Sequence, residues 1–186
     1  EIAAFAMIAQ AVGDVGIADR DWTALPDAVA QVVADAEPCR ELAAWASAVD
    51  HRFATVARGY LYGAAAETAL KVEETTSIFS TAFSAADLRH GPIAIASTGI
   101  PILAFAHPGP AADDVLDLVV DLHDRGASVR VLGPVAGSSA GWPAETPEAL
   151  APVLAVVRGQ QLALELARRL GRDPDSPEGL TKVTIT

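Results

Sequence analysis

From Arg52 onward the chain changes rhythm, and that change restricts its fold more than any other feature. Short apolar runs alternate with longer helical patterns: "RFATVARG", "YGAAAETALKVEETT", "SIFSTAF", "PILAFAH", "AADDVLDLVVDLHDRG", "ASVRVLGP" and "LAPVLAVVRGQQLALELARRLG". A run such as "PILAFAH" is apolar at successive positions, as a strand buried on both faces must be. Strands separated by helices pair in parallel, with the helices lying over the sheet. The expected fold is α/β, a three-layer α/β/α sandwich with a parallel sheet of about five strands.

The first fifty residues read differently. Ile2 to Val12 is apolar almost throughout and is stopped by Gly13 and Gly16, which predicts a well-buried helix. "DWTALPDAVAQVVADAEPCRELAAWASAVDH" predicts two helices broken near Pro38. Glu1 opens the chain with no basic region before the apolar run, which argues against a signal peptide. The apolar helical pattern runs from the first residues, so we expect the C-terminal piece of a longer protein. The expected division is leading helices over 1–50, a sheet domain over 51–171, and a tail over 172–186 that has turn chemistry and a short β-like end.

Charge and cysteine content restrict the partners. The formal net charge is -11, and the 13 Lys and Arg residues form no basic run. Such a surface repels a phosphate backbone, so no nucleic-acid partner is expected. No apolar run is long enough to span a bilayer, so no membrane partner is expected either. A single cysteine, Cys39, leaves no internal disulfide and fits a reducing, cytoplasmic setting. His51, His90, His107 and His123 lie far apart and form no metal-ligand motif, so neither metal nor cofactor is expected.

One segment, "ETALKVEETTSIFSTAFSAADLRHGP", carries an unusual density of polar chemistry. On a helix, Glu67, Lys71 and Glu74 share one face through i,i+4 and i,i+3 spacing. Surface ion pairs account for that spacing, and so does a proton-transfer site. His90 reads either as a loop histidine or as a catalyst near neutral pH. Asp87 fits a helix N-cap. The local spacing of Ser84, Asp87 and His90 matches no nucleophile elbow. "GSSAG" reads as a surface loop, with a phosphate cradle as the alternative.

The stretch "RGYLYGAAAETALKVEETTSIFSTAFSAADLRHGPIAI" resembles the second sugar-isomerase (SIS) domain of glucosamine–fructose-6-phosphate aminotransferases and their relatives. It carries that family's Arg-Gly followed by Tyr, its Ala-Leu-Lys-x-x-Glu, and its His-Gly-Pro. The tail "DPDSPEGLTKVTIT" resembles the family's closing segment. The leading helices fit the linker from a preceding SIS domain. The pattern departs at Ala86-Asp87, where the family has Gly-Glu, and around Thr81, where it has an acidic residue.

The resemblance implies a sugar-phosphate isomerase that couples aldose–ketose isomerisation of an amino-sugar 6-phosphate to amine transfer or deamination. It implies Glu74 as the base moving a proton between C1 and C2. His90 would assist ring opening in a neighbouring subunit, which makes a homodimer the expected assembly. Lys182 would contact the C1–C2 region, Lys71 would stand beside the base, and Arg58 and Gly59 would form a turn near the substrate. The family's Ser/Thr-rich phosphate loop does not occur in this sequence, so the phosphate contacts are expected elsewhere. A non-catalytic sugar-phosphate sensor is the alternative.

Overall fold

A computed structural model describes residues 1–48 and 52–176. Seven α-helices and four strands follow one another among the described residues: α1 (Ile2–Val12), α2 (Asp19–Ala34), α3 (Glu37–Ala46), β1 (Arg52–Ala57), α4 (Tyr62–Thr76), β2 (Phe79–Ser84), α5 (Ala85–Arg89), β3 (Pro101–Phe105), α6 (Ala112–Asp124), β4 (Ser128–Leu132) and α7 (Ala151–Arg169). The sheet is parallel throughout, in the order β2-β1-β3-β4. The alternation of strand and helix thus forms the expected three-layer α/β/α sandwich.

Successive strand residues point to opposite faces, and both faces are buried. Phe53, Ala57, Leu103, Phe105 and Leu132 meet the layer formed by α2, α3, α4 and α7. Ala54, Val56, Ile102, Ala104, Val129 and Val131 meet α5, α6 and the 3-10 turn over Pro92–Thr98. The register agrees, since Ala54 pairs with Ile102 and Ile102 with Val129 across one face. This explains why the strands are nearly continuous in apolar residues.

Four strands stand where about five were expected. The tail's β-like run lies outside the described residues. Beside β4 the fifth position holds only one parallel bridge, Leu132 to Ala140. Gly137, Gly141 and Pro143 leave too little extended backbone around it for a strand.

The leading helices bring a second correction. No residue of α1 is buried, and Phe5 and Val12 are 70% and 86% exposed. An apolar run states a preference for burial but not what covers it. The chain does break near Pro38, which sits in the first turn of α3. There, α2 and α3 join the core through Val32, Leu42, Ala43 and Ala46. Arg158 of α7, only 3% exposed, fastens their junction by an ion pair of 2.9 Å to Asp35 and a hydrogen bond of 2.8 Å to the Gly141 carbonyl. In α4, Leu70 is exposed rather than packed on the sheet; Ala64, Ala65, Thr68, Ala69 and Val72 form the inner face. No helix among the described residues is long and apolar enough to cross a membrane.

Candidate functional site

The topology sorts the candidate residues to two opposite edges of the sheet, one formed by the strand starts and the other by the strand ends. A helix that follows a parallel strand runs back against it, so α4 ends at the edge where β2 begins. Glu74 and Lys71 lie there, on the last turns of α4. His90 follows β2 and α5, and Arg58 and Gly59 follow β1, so these three lie at the other edge. The six residues of β2 separate the two groups by roughly 17 Å at about 3.3 Å per residue. Within one chain, Glu74 and His90 do not meet.

At the first edge, Lys71 Nζ donates to Glu74 Oε2 at 2.5 Å and stands 3.8 Å from Glu67 Oε1. All three side chains are about a third exposed, so the pair is reachable from solvent. The hydrogen bond to Glu74 raises the Lys71 pKa above its ordinary value, with the Glu67 and Glu74 charges adding to it against desolvation. Lys71 therefore stays a cation beside the carboxylate. A cleft of about 150 Å³ opens next to them, lined by Glu74, Thr75, Ser77, Gly171, Arg172, Asp173 and Ser176. Ser77 lines it with φ 58°, the one positive φ at a non-glycine residue among the described residues. It is the left-handed C-cap of α4, and its N–H donates to the Glu73 carbonyl at 2.9 Å, as helix ends commonly close. The cleft brings the start of the tail against Glu74, while Lys182 itself lies outside the described residues.

At the other edge, Ser84 rather than Asp87 caps α5. Its hydroxyl accepts from the Asp87 backbone N–H at 3.2 Å and donates to the Asp87 carboxylate at 2.8 Å. Asp87 occupies the third helical position of that box, so the Ala-Asp departure serves a local helix start. His90 ends α5 with an exposed side chain and takes no part in the Ser84–Asp87 pair. Gly59 has φ 61°, and a Cβ there would sit 3.4 Å from Ala111, which holds the turns after β1 and β3 close.

Arg58 does not project free from the turn after β1. Its Nη1 stands 2.8 Å from Asp114 Oδ2, a buried oxygen with no aligned hydrogen-bond donor. Arg89 donates to the other oxygen, Oδ1, at 2.6 Å. Sequence reasoning missed Asp114, because an acid in the first turn of α6 reads as an ordinary partner of the helix dipole. It also missed Glu148, whose carboxyl packs on Gly109 and is pushed above its ordinary pKa by burial. The "GSSAG" loop is tied inward: the Ser139 N–H donates to the Val131 carbonyl and the Ser138 hydroxyl to the Ala140 carbonyl.

The profile of the SIS domain family matches residues 48–141, half of the chain. The chain belongs to this family. Over 96% of its length it is 32% identical to the glutamine–fructose-6-phosphate aminotransferase of Methanothermobacter thermautotrophicus, of which it covers 32%. Among solved structures it is similar to the C-terminal domain of the glucosamine–fructose-6-phosphate aminotransferase of Francisella tularensis, with TM-score 0.74 and 23% identity over 83% of this chain and 45% of that one. A Thermotoga maritima glucosamine-6-phosphate deaminase gives TM-score 0.71 and 21% identity over 92% of this chain and 51% of that one. These two likenesses show the fold. The chain spans about a third or less of the length of the curated relatives it matches.

Proposed function

We propose that this SIS domain supplies the proton-transfer half of an isomerase site for a hexosamine or hexose 6-phosphate, glucosamine 6-phosphate or fructose 6-phosphate. The carrying observation is the Lys71–Glu74 pair at 2.5 Å, about a third exposed beside the cleft where the tail begins. Glu74 takes a proton from one carbon of the open-chain sugar and returns it to the neighbouring one. Lys71, held cationic, faces the anionic enediol or enolamine formed between those steps. Lys182 follows Ser176 by six residues, a reach of at most about 20 Å, which allows it to act at the same carbons. His90 gives a proton to the ring oxygen as the ring opens and takes it back from the resulting hydroxyl as the ring closes.

The separation of Glu74 and His90 supports a homodimer in which each His90 serves the neighbouring subunit. Arg58 and Gly59 then act as turn residues near the substrate. The uncovered apolar face of α1 supports a preceding SIS domain against residues 1–50, carrying the phosphate contacts. In this reading 51–171 is the domain proper and 172–186 its catalytic tail, in a cytoplasmic enzyme.

The test is ammonia release from glucosamine 6-phosphate, and its isomerisation, by the complete polypeptide. Glu74→Gln is expected to lower the rate by about 10²-fold or more, as loss of a general base does, while sugar-phosphate binding persists. Unchanged turnover in that variant removes Glu74 from the mechanism. Binding without turnover in the unaltered protein makes it a sensor instead.

A further inference from the structure

We propose that Asp114 is the positioning residue for the His90 imidazole, acting through Arg89. The proposal rests on the reading of His90 as catalytic given above. It concerns how one loop histidine is aimed across a subunit boundary.

His90 hangs on a very short element. Five residues of α5 make too few helical hydrogen bonds to hold themselves. The Ser84–Asp87 box fixes its start, and Ala85 and Leu88, both fully buried, fix its inner side. Its last residue, Arg89, is held from outside. Arg89 Nη1 lies 2.6 Å from Asp114 Oδ1, and its Nε lies 3.5 Å from Asp121 Oδ2. Those two aspartates are seven residues apart, so they occupy one face of α6 two turns apart. The guanidinium therefore lies along α6 as a strut, and Val115, Leu118 and Leu122 bury that helix in the core.

Asp114 is the node of this arrangement. Arg58, leaving β1, stands against its second oxygen. One carboxylate thus links the end of β1, the end of α5 and the start of α6. His90 follows Arg89 directly, and Gly91 follows His90 with φ 142°, a conformation that side-chain-bearing residues rarely adopt. The imidazole is set between a clamped residue and a sharp turn. A shift of Arg89 passes straight into it.

The experiment uses the complete polypeptide with Asp114→Asn, which keeps the shape and removes the charge, and Arg89→Lys, which keeps a charge but loses the fork. Asp114→Asn is expected to lower kcat by about 10²-fold, the scale of a misplacement of about 1 Å, with KM changed by less than about twofold. Arg89→Lys is expected to lower kcat in the same direction but by less, since one charged contact to Asp114 remains. Mixed subunits then locate the defect. Asp114→Asn combined with Glu74→Gln should regain activity, because some heterodimers join an intact base to a well-held histidine. Asp114→Asn combined with His90→Ala should not, since both defects fall in the same half-site.

Glu74→Gln combined with His90→Ala is the reference. If that mixture stays inactive despite proven exchange, the shared-site reading fails. If it regains activity and Asp114→Asn with His90→Ala regains it equally, the positioning proposal is overturned while the shared site stands. Full kcat in Asp114→Asn overturns it as well. Should Asp114→Asn not assemble, Arg89→Lys carries the same mixtures and the same outcomes.

Discussion

A ring nitrogen accepts a hydrogen bond only while unprotonated, and His107 uses both of its nitrogens. The Trp142 indole, which can only donate, gives its N–H to Nδ1 at 3.1 Å, and Nε2–H donates to the Thr146 carbonyl at 2.8 Å. The two rings lie within 9° of parallel, and burial pushes the His107 pKa below its ordinary value. Folding therefore favours the neutral ring. Its contribution is complete above the unfolded pKa of about 6.5 and is lost as pH falls toward the lower folded value. The melting temperature should drop as pH is lowered from about 7 to below 6, and His107→Gln should flatten that slope. Equal slopes in the two proteins remove His107 as the cause. Nothing in the sequence foretold this pair, because Trp142 lies 35 residues away. Lys71 and Glu74 were legible because their spacing alone puts them on one helix face.

Close approach between elements depends on smaller details. α4 and α7 pack where Gly159 faces Thr68, and a Cβ at position 159 would lie 2.0 Å from Thr68 Oγ1. Thr68 cannot swing away freely: it is 1% exposed, and its hydroxyl donates to the Ala64 carbonyl at 2.8 Å. Alanine in a helix interior gains about 1 kcal/mol over glycine, but overpacking costs about 1–3 kcal/mol or more, and at 2.0 Å the clash should win. Gly159→Ala is expected to lower the denaturant midpoint, and Thr68→Ala added to it should restore part of the loss. A raised midpoint in the single variant contradicts the contact. Strand and helix placement was legible from hydrophobic period, which is a property of each segment by itself. The exposure of α1 and the shortfall to four strands were not legible, because both depend on what lies alongside. Ser84 rather than Asp87 as the cap of α5 was a contest between neighbours that spacing alone leaves open.

At the scale of the molecule, the division of candidate residues between two sheet edges bears on what this chain can bind by itself. A sugar phosphate needs a dianion held by cations or by convergent N–H groups. Arg58 and Arg89 face Asp114, and Arg158 is buried against Asp35. Lys71 lies between Glu67 and Glu74, and the serines of the "GSSAG" loop bond inward. The formal net charge of -11 adds a general repulsion for a dianion. The 186-residue chain alone should therefore bind glucosamine 6-phosphate weakly, with no saturable heat in calorimetry below about 1 mM. The complete polypeptide, bringing the phosphate contacts proposed for the preceding domain, should bind far more tightly. Micromolar affinity in the isolated chain would show that a phosphate site exists within it. Repeating the titration with Arg58→Ala would then ask whether Arg58 leaves Asp114 for the ligand. Loss of that affinity would place the phosphate at the turn after β1, and retention would direct attention to the cleft beside Glu74.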